Sequence, residues 1–413
     1  MSKRLNKPAY VGQWRSLETG IVKAILSGQK AFLWMIERLS VHQRKAPTVP
    51  RTILLLRISA LGDFIFSVPA MVVLREQNPN AKIILLTATT TSVVQSAKVQ
   101  AYAGPAPFPW LTFVVPSVVD EAICIQSFNF KRLWTEIRPR VKKLNPDVTV
   151  VLSHPGEPGL GLLKKMIFLR LVGARNEIYG WRTRASNKWL RKVQYDAGLF
   201  EHHVFGPLRS IAELPGMPPI GKMEIKFPLH IDEDARIWAD EFLQTKKWGG
   251  YKIVAVAPGS VQPHKAWPID RFEKLCQELV QRFKVRIIVI GTKSDTFLGN
   301  KLARAFDCNI VNLAGETTLS QSAALLARCA LLVGNDGGAI HLGSAMGCPS
   351  VSIVPGIEYP GSIEPWFSRD IAVRHSVSCA PCYSFTRCPY SHNKCMKELP
   401  LEKVLDNCVS VLD

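Results

Sequence analysis

From residue 51 onward, short unbroken apolar runs alternate with longer stretches in which apolar residues recur every three or four positions. The first run, Ile53, Leu54, Leu55 and Leu56, has no polar interruption. Such a run predicts a strand buried on both faces, over 51–58. Residues 64–77 then carry Ile65, Val68, Val72 and Leu74 on one helical face. Further strands are predicted over 81–87, 122–125 and 147–152, with a helix over 131–144 between the last two. Strands that alternate with helices imply a parallel sheet wound by right-handed crossovers. A loop rich in proline and glycine, 214–221, closes this unit.

A second unit repeats the pattern. Strands are predicted over 252–257, 285–290, 330–334 and 350–354, and helices over 269–282, 319–328 and 338–346. The fold class is therefore α/β, with two doubly wound, Rossmann-like domains facing a central cleft. Ligands bind at the carboxyl edges of such sheets. The tail holds four crowded cysteines and a last helix from about Leu401, a candidate for docking back on the first domain.

The first 50 residues stand apart. Nine basic residues oppose Glu18 and Glu37, a balance of +7. Ile21, Val22, Ile25, Leu26, Phe32, Leu33, Ile36 and Leu39 recur at helical spacing beside Trp34. A basic amphipathic helix of this kind either lies in the plane of an anionic membrane, through residues 1–46, or packs on the folded body. Four parts result: the extension 1–50, an acceptor-binding α/β domain 51–215, a donor-binding α/β domain 216–365, and the cysteine-rich tail 366–413.

Composition narrows the classes. A chain of 413 residues suits two or three domains of roughly 100–200 residues each. Its 47 % hydrophobic content excludes a mainly disordered chain, a collagen or a small disulfide scaffold. Lys and Arg number 52 against 33 Asp and Glu, a net charge of +19. Such a surface attracts polyanions: nucleic acid, anionic lipid or phosphorylated glycan. No nucleic-acid recognition motif appears, so nucleic acid is not an expected partner. Between Lys131 and Lys192, fifteen basic residues oppose four acidic ones. Lys164, Lys165, Arg170, Arg175, Arg182 and Arg184 in that stretch suit an acidic acceptor; the alternative is a generic basic surface. No stretch reaches the ~18–20 apolar residues of a transmembrane helix. No signal-peptide pattern opens the chain. A cytoplasmic protein, peripheral on the inner face of the membrane, is expected.

Three turns that follow strands and precede helices carry the candidate chemistry. In Arg57-Ile58-Ser59-Ala60-Leu61-Gly62-Asp63, Asp63 is either a helix N-cap or a general base aimed at a substrate hydroxyl. In the turn 257–268, Gly259 admits a ligand to the backbone, Ser260 offers a hydroxyl and Lys265 a charge for a phosphate. In Gly334-Asn335-Asp336-Gly337-Gly338-Ala339-Ile340-His341, two glycines expose N–H groups at a helix N-terminus, where an anion is stabilised.

Taken together, these turns resemble glycosyltransferase family 9, the heptosyltransferases that add heptose to the lipopolysaccharide inner core. The similar segments are 57–63, with Ser-x-Leu-Gly-Asp; 258–268, with Gly-Ser and Lys-x-Trp-Pro; and 335–342, followed by Ala345-Met346-Gly347-Cys348-Pro349. The family's last motif is usually Asp-Thr-Gly. Here Asp336-Gly337-Gly338 lacks one hydroxyl. The resemblance implies a GT-B fold, an ADP-heptose donor, and an inverting transfer that needs no metal for catalysis. Carried over by position, it assigns Asp63 as base, and Lys265 with the turn Asp336, Gly337 and Gly338 to the donor diphosphate. Ser260 and His341 are further donor candidates from the residues themselves, and a lone histidine one turn into a helix is otherwise structural. Asp295 is a candidate for the donor's ribose. Lys164, Lys165, Arg182 and Arg184 are candidates for a lipid A-type glycolipid acceptor.

Two questions stay open in the sequence. Cys379, Cys382, Cys388 and Cys395 can form a structural zinc site, reduced packed thiols or disulfides. Cys276, Cys329 and Cys348 sit singly in apolar runs, as reduced core residues do. The rival functions are transfer from another nucleotide sugar to another glycan, and a non-catalytic polyanion-binding scaffold.

Overall fold

The structure, a computed structural model, describes residues 46–88, 108–125, 130–154, 159–180, 192, 195–196, 201–306, 309–367 and 369–413. The amphipathic segment 1–45, Arg182 and Arg184 lie outside the described residues.

The first domain runs β1 (Thr52–Ile58), α1 (Leu61–Ile65), α2 (Val68–Gln77), β2 (Lys82–Ala88), β3 (Glu121–Ile125), α3 (Arg138–Leu144), β4 (Val148–Val151), α4 (Gly159–Leu171), β5 (Ile178–Tyr179) and α5 (Phe205–Ala212). Its parallel sheet has the order β3-β2-β1-β4-β5. Leu54 and Leu56 bury one face of β1, and Ile53 and Leu55 the other, so the unbroken apolar run is the expected signature of a central parallel strand.

The second domain runs α6 (Glu233–Thr245), β6 (Lys252–Ala257), α7 (Ile269–Arg282), β7 (Val285–Val289), α8 (Thr296–Ala305), β8 (Ile310–Asn312), α9 (Leu319–Leu326), β9 (Leu331–Asn335), α10 (Gly338–Ala345), β10 (Ser350–Ile353), β11 (Ile371–Val373) and α11 (Leu401–Leu412). Its parallel sheet has the order β11-β10-β9-β6-β7-β8. One apolar cluster runs from Ile53 and Leu85 in the first sheet to Ala255 and Leu332 in the second, so the domains share buried surface.

Several elements depart from the sequence pattern for local reasons. The helix expected over 64–77 is two helices, because the chain turns at Ser67 and restarts with Pro69 in the first turn of α2. Proline suits a helix start, since its missing N–H is not needed there. The helix expected over 131–144 widens to a π turn at Leu133–Ile137 just before Pro139, which has no N–H to continue the ladder. The last helix does not dock on the first domain. Val404, Leu405, Cys408 and Leu412 of α11 join the second domain's core with Val254 and Leu331.

Candidate active site

Asp63 sits inside α1 and is not its cap. Ala60 holds the N-cap position with no side-chain cap hydrogen bond. The turn is held from below by Arg57, whose buried guanidinium donates to the Leu152 carbonyl and the Asp63 carbonyl, both at 2.6 Å. The carboxylate itself is 42 % open, enough for a substrate to reach it. Its Oδ1 lies 3.9 Å from Nδ1 of His203. Desolvation pushes this carboxyl up, but contact with His203 and the charges of Arg57 and His154 outweigh it and hold the group well below the usual carboxylate range. Asp63 is therefore ionised at any working pH.

Around it stands a histidine cluster of which the sequence pattern singled out only His341. The Phe66 ring packs edge-on against His341 at 4.6 Å and His202 at 4.9 Å. His154 stacks on His203 at 5.7 Å. The partners of His202 fix its tautomer. Its Nδ1 accepts from the Val204 N–H at 3.1 Å, so Nε2 carries the proton and donates to the Glu364 carbonyl at 2.6 Å. Burial, with the charges of His203 and His341, depresses its pKa to about 3 against the carbonyl contact, so it stays neutral. For His154, His202 and His203 the only sequence signal was the His202-His203 pair itself. Its partners, Phe66 and His341, come from distant segments.

The third turn meets the first across the domain seam. A Cβ at Gly62 would stand 2.6 Å from His341 Cδ2, and one at Gly338 would stand 3.1 Å from the Leu61 side chain. His341 is buried, with Nε2 3.4 Å from Asp336 Oδ1. Gly337 is the N-cap of α10, and its extended backbone keeps the N–H groups of the first turn free of side-chain cover.

The second turn is tied to the third by Asn335. Its buried side chain accepts from the Trp267 N–H at 2.9 Å and donates to the Pro258 carbonyl at 2.7 Å. The sequence placed Asn335 in the motif but gave it no role. Ser260 turns its hydroxyl to the Gln262 carbonyl at 3.1 Å. Lys265 Nζ lies 5.4 Å above the Phe385 ring of the tail, and His264 Nε2 is 3.2 Å from the Ser384 carbonyl, so the tail braces this loop. Asp295 packs against Gly259, where a Cβ would meet its carboxyl at 2.4 Å. One of its oxygens closes a capping box with Thr292. It is thus beside the donor loop, with half its hydrogen-bonding capacity already used.

The acceptor candidates are less concentrated. Lys164 is exposed on α4 and Lys165 half-buried. Arg170 donates to the Ala174 and Asn176 carbonyls, closing the end of α4.

In the tail, Cys379 Sγ lies 3.9 Å from His392 Nε2, and the backbone of Cys382 donates to the Gly356 carbonyl at 3.1 Å. Burial raises the Cys395 thiol. Desolvation also pushes Cys388 up, but the N–H groups of residues 390–393 outweigh it and lower that thiol. All nine described cysteines are free thiols. Cys379, Cys382 and Cys388 are all near enough to Cys395 for their charges to raise its thiol further. Among the described residues, no group of three His, Cys, Asp or Glu side chains is arranged to hold a metal ion.

A family model described as glycosyltransferase family 9 (heptosyltransferase) matches residues 161–391. Lipooligosaccharide heptosyltransferase 2 of Campylobacter jejuni is 29 % identical over 168 residues, which are 40 % of this chain and 52 % of that protein. Lipopolysaccharide core heptosyltransferase OpsX of Haemophilus influenzae is 24 % identical over 177 residues, 42 % of this chain and 49 % of that one. The chain thus spans about half the length of the curated relatives it matches. Among solved structures, a glycosyl transferase family 9 protein from Veillonella parvula superposes with a TM-score of 0.65 at 17 % identity, covering 90 % of this chain and 99 % of that one. ADP-heptose lps heptosyltransferase II of E. coli gives 0.59 at 18 % identity, covering 87 % and 98 %. These neighbours share the two-domain GT-B fold. With a family model that spans more than half of its length, the chain belongs to glycosyltransferase family 9 (heptosyltransferase).

Proposed function

We propose that this protein transfers heptose, or a closely related sugar, from ADP-heptose to the inner core of a lipopolysaccharide-type acceptor, with inversion at the anomeric carbon. The observation that carries this reading is the seam between Gly62 and His341. There the turn that bears Asp63 approaches the Asp336–Gly338 turn of the other domain, which supports a base and an anion site on opposite sides of one cleft.

The reaction divides between the two domains. An acceptor hydroxyl oxygen attacks the anomeric carbon of the donor from the side of Asp63. The new C–O bond forms as the bond from that carbon to the diphosphate oxygen breaks, and the pair of electrons leaves with ADP. Lys265 and the N–H groups at the start of α10 neutralise the charge that develops on the diphosphate. The acceptor proton passes to Asp63. A carboxylate held so far below the usual range is a weak base toward a resting hydroxyl. It suffices once bonding to carbon has made the acceptor oxygen cationic and its proton strongly acidic, so proton transfer comes late.

The acceptor's phosphates and acidic sugars would meet the basic first domain. Residues 1–46 would hold the enzyme on the inner face of the cytoplasmic membrane, where such acceptors are reached. The charge supplied by Lys265 and α10 stands in the place a divalent cation takes in other glycosyl transfers, so catalysis proceeds without one.

The test is incubation with ADP-heptose and a lipid A-type acceptor in excess EDTA, read by mass spectrometry, with UDP- and GDP-sugars as controls. One added heptose per acceptor is expected from the ADP donor alone. Product from a UDP or GDP donor instead would reassign the donor. No product from any donor, with polyanion binding intact, would favour the non-catalytic scaffold.

A further inference from the structure

We propose that the outer face formed by α3 and α4 docks on an anionic phospholipid surface, separately from residues 1–46. The two helices lie side by side on one face of the first sheet, and their apolar sides share one core with Leu54, Leu56, Ile84 and Leu86. The stem of Lys142 near the end of α3 covers Gly173 just past the end of α4, where a Cβ would stand 2.8 Å from Lys142 Cγ. The two helices therefore meet at this end, on the same side of the sheet.

The outer face combines charge with exposed apolar groups. The stretches 130–144 and 159–175 contain ten Lys and Arg residues and one acid, Glu136, a balance of +9 (10 − 1). Glu136 is engaged with Arg132 at 3.6 Å. On α4, Ile167 is 52 % and Leu171 48 % exposed. They stand four residues apart, in line with exposed Lys164 three residues earlier, so all three share one helical face. In the π turn that leads into α3, Trp134 is 44 % exposed, with the Arg138 guanidinium 3.8 Å over its ring.

Aliphatic side chains ringed by cations fit one partner best. At a bilayer, Ile167, Leu171 and Trp134 enter the headgroup boundary while the cations meet phosphates, and the two contributions add. A nucleic acid would use the cations and leave the aliphatic groups in water. Among the described residues no helix is long and apolar enough to cross a membrane, so contact would be peripheral. The inference stands on exposure and charge and does not need the transfer reaction.

The full-length protein is mixed with vesicles of phosphatidylcholine alone or with 30 % phosphatidylglycerol, both carrying the same trace of a photoactivatable phosphatidylcholine. Crosslinks are then mapped by peptide mass. We expect crosslinks in 130–144 and 159–175 with the anionic vesicles only. The variant Ile167→Asp/Leu171→Asp should lose these crosslinks about tenfold, with an unchanged melting temperature and unchanged turnover of a water-soluble acceptor. Crosslinks confined to 1–46 would overturn the proposal, as would equal labelling of wild type and variant. Competition of the labelling by short DNA, equally strong for wild type and variant, would reassign the face to nucleic acid.

Discussion

Gly62 has no side chain where His341 needs the space: a Cβ there would lie 2.6 Å from the imidazole Cδ2. The ring has nowhere to retreat, because Phe66 packs on it at 4.6 Å and it is buried. This contact sets how closely the turn that carries Asp63 approaches the helix that would hold the donor. Gly62→Ala should therefore push the two turns apart and lower kcat/KM at least tenfold while both domains stay folded. In the double variant with His341→Ala the clash is absent. The two effects should then be non-additive, with the double variant no worse than His341→Ala alone. Steady-state kinetics on the three variants decides it, and additive losses would mean that the contact does not set the approach.

Asp63→Asn keeps the size of the side chain and removes its basicity. Turnover should fall about 10²–10⁴-fold, the range for loss of a general base. The depressed pKa of Asp63 also makes a prediction about pH. The base form persists far into acid, so any acid limb of kcat above about pH 4 belongs to another group and should survive in residual Asn-variant activity. For stability the sign follows from the same depression. The ionised carboxylate stabilises the fold above its unfolded pKa of about 3.9, and this is lost as pH falls through the lower folded value. Thermal melts of wild type and Asn variant should converge below about pH 4.

Lys265 is the only lysine of the second turn, and its position depends on the tail through Phe385. Lys265→Ala should raise the donor KM about tenfold and lower kcat as well, since its charge counts most as the diphosphate leaves. Phe385→Ala removes only the cation–π support. A two- to fivefold rise in donor KM with kcat nearly unchanged is expected, consistent with about 0.5–1 kcal/mol. Isothermal titration with ADP would separate the two effects, and an unchanged ADP affinity in both variants would move the donor site elsewhere.

Asn335 joins two loops with one buried side chain. Asn335→Ala strands the Trp267 N–H and the Pro258 carbonyl away from water, at about 1–3 kcal/mol for each unpaired group. A lower melting temperature and weaker ADP binding should appear together. A drop in stability with full ADP affinity would show that the clamp supports only the core around Trp267.

The sheets were legible because a central parallel strand is apolar on both faces, and Ile53–Leu56 cannot be read otherwise. The three turns were legible because glycine, proline and a helix start leave local marks. Asp63 as a cap was a local reading that failed: a carboxylate near a helix start looks the same whether it binds an N–H or faces a cleft. Beyond the adjacency of His202 and His203, the histidines at 154, 202 and 203 and the clamp at Asn335 left no local mark, since their roles come from partners about 50 to 160 residues away. The sequence alone determined the two α/β units and the loops at their carboxyl edges, because strand burial and turn chemistry are short-range. Only the tertiary structure decided that Gly62 meets His341, that the tail braces Lys265, and that α11 completes the second core. Those contacts depend on how two separately wound sheets face each other, a question settled by the packing of surfaces that periodicity marks as buried without saying against what.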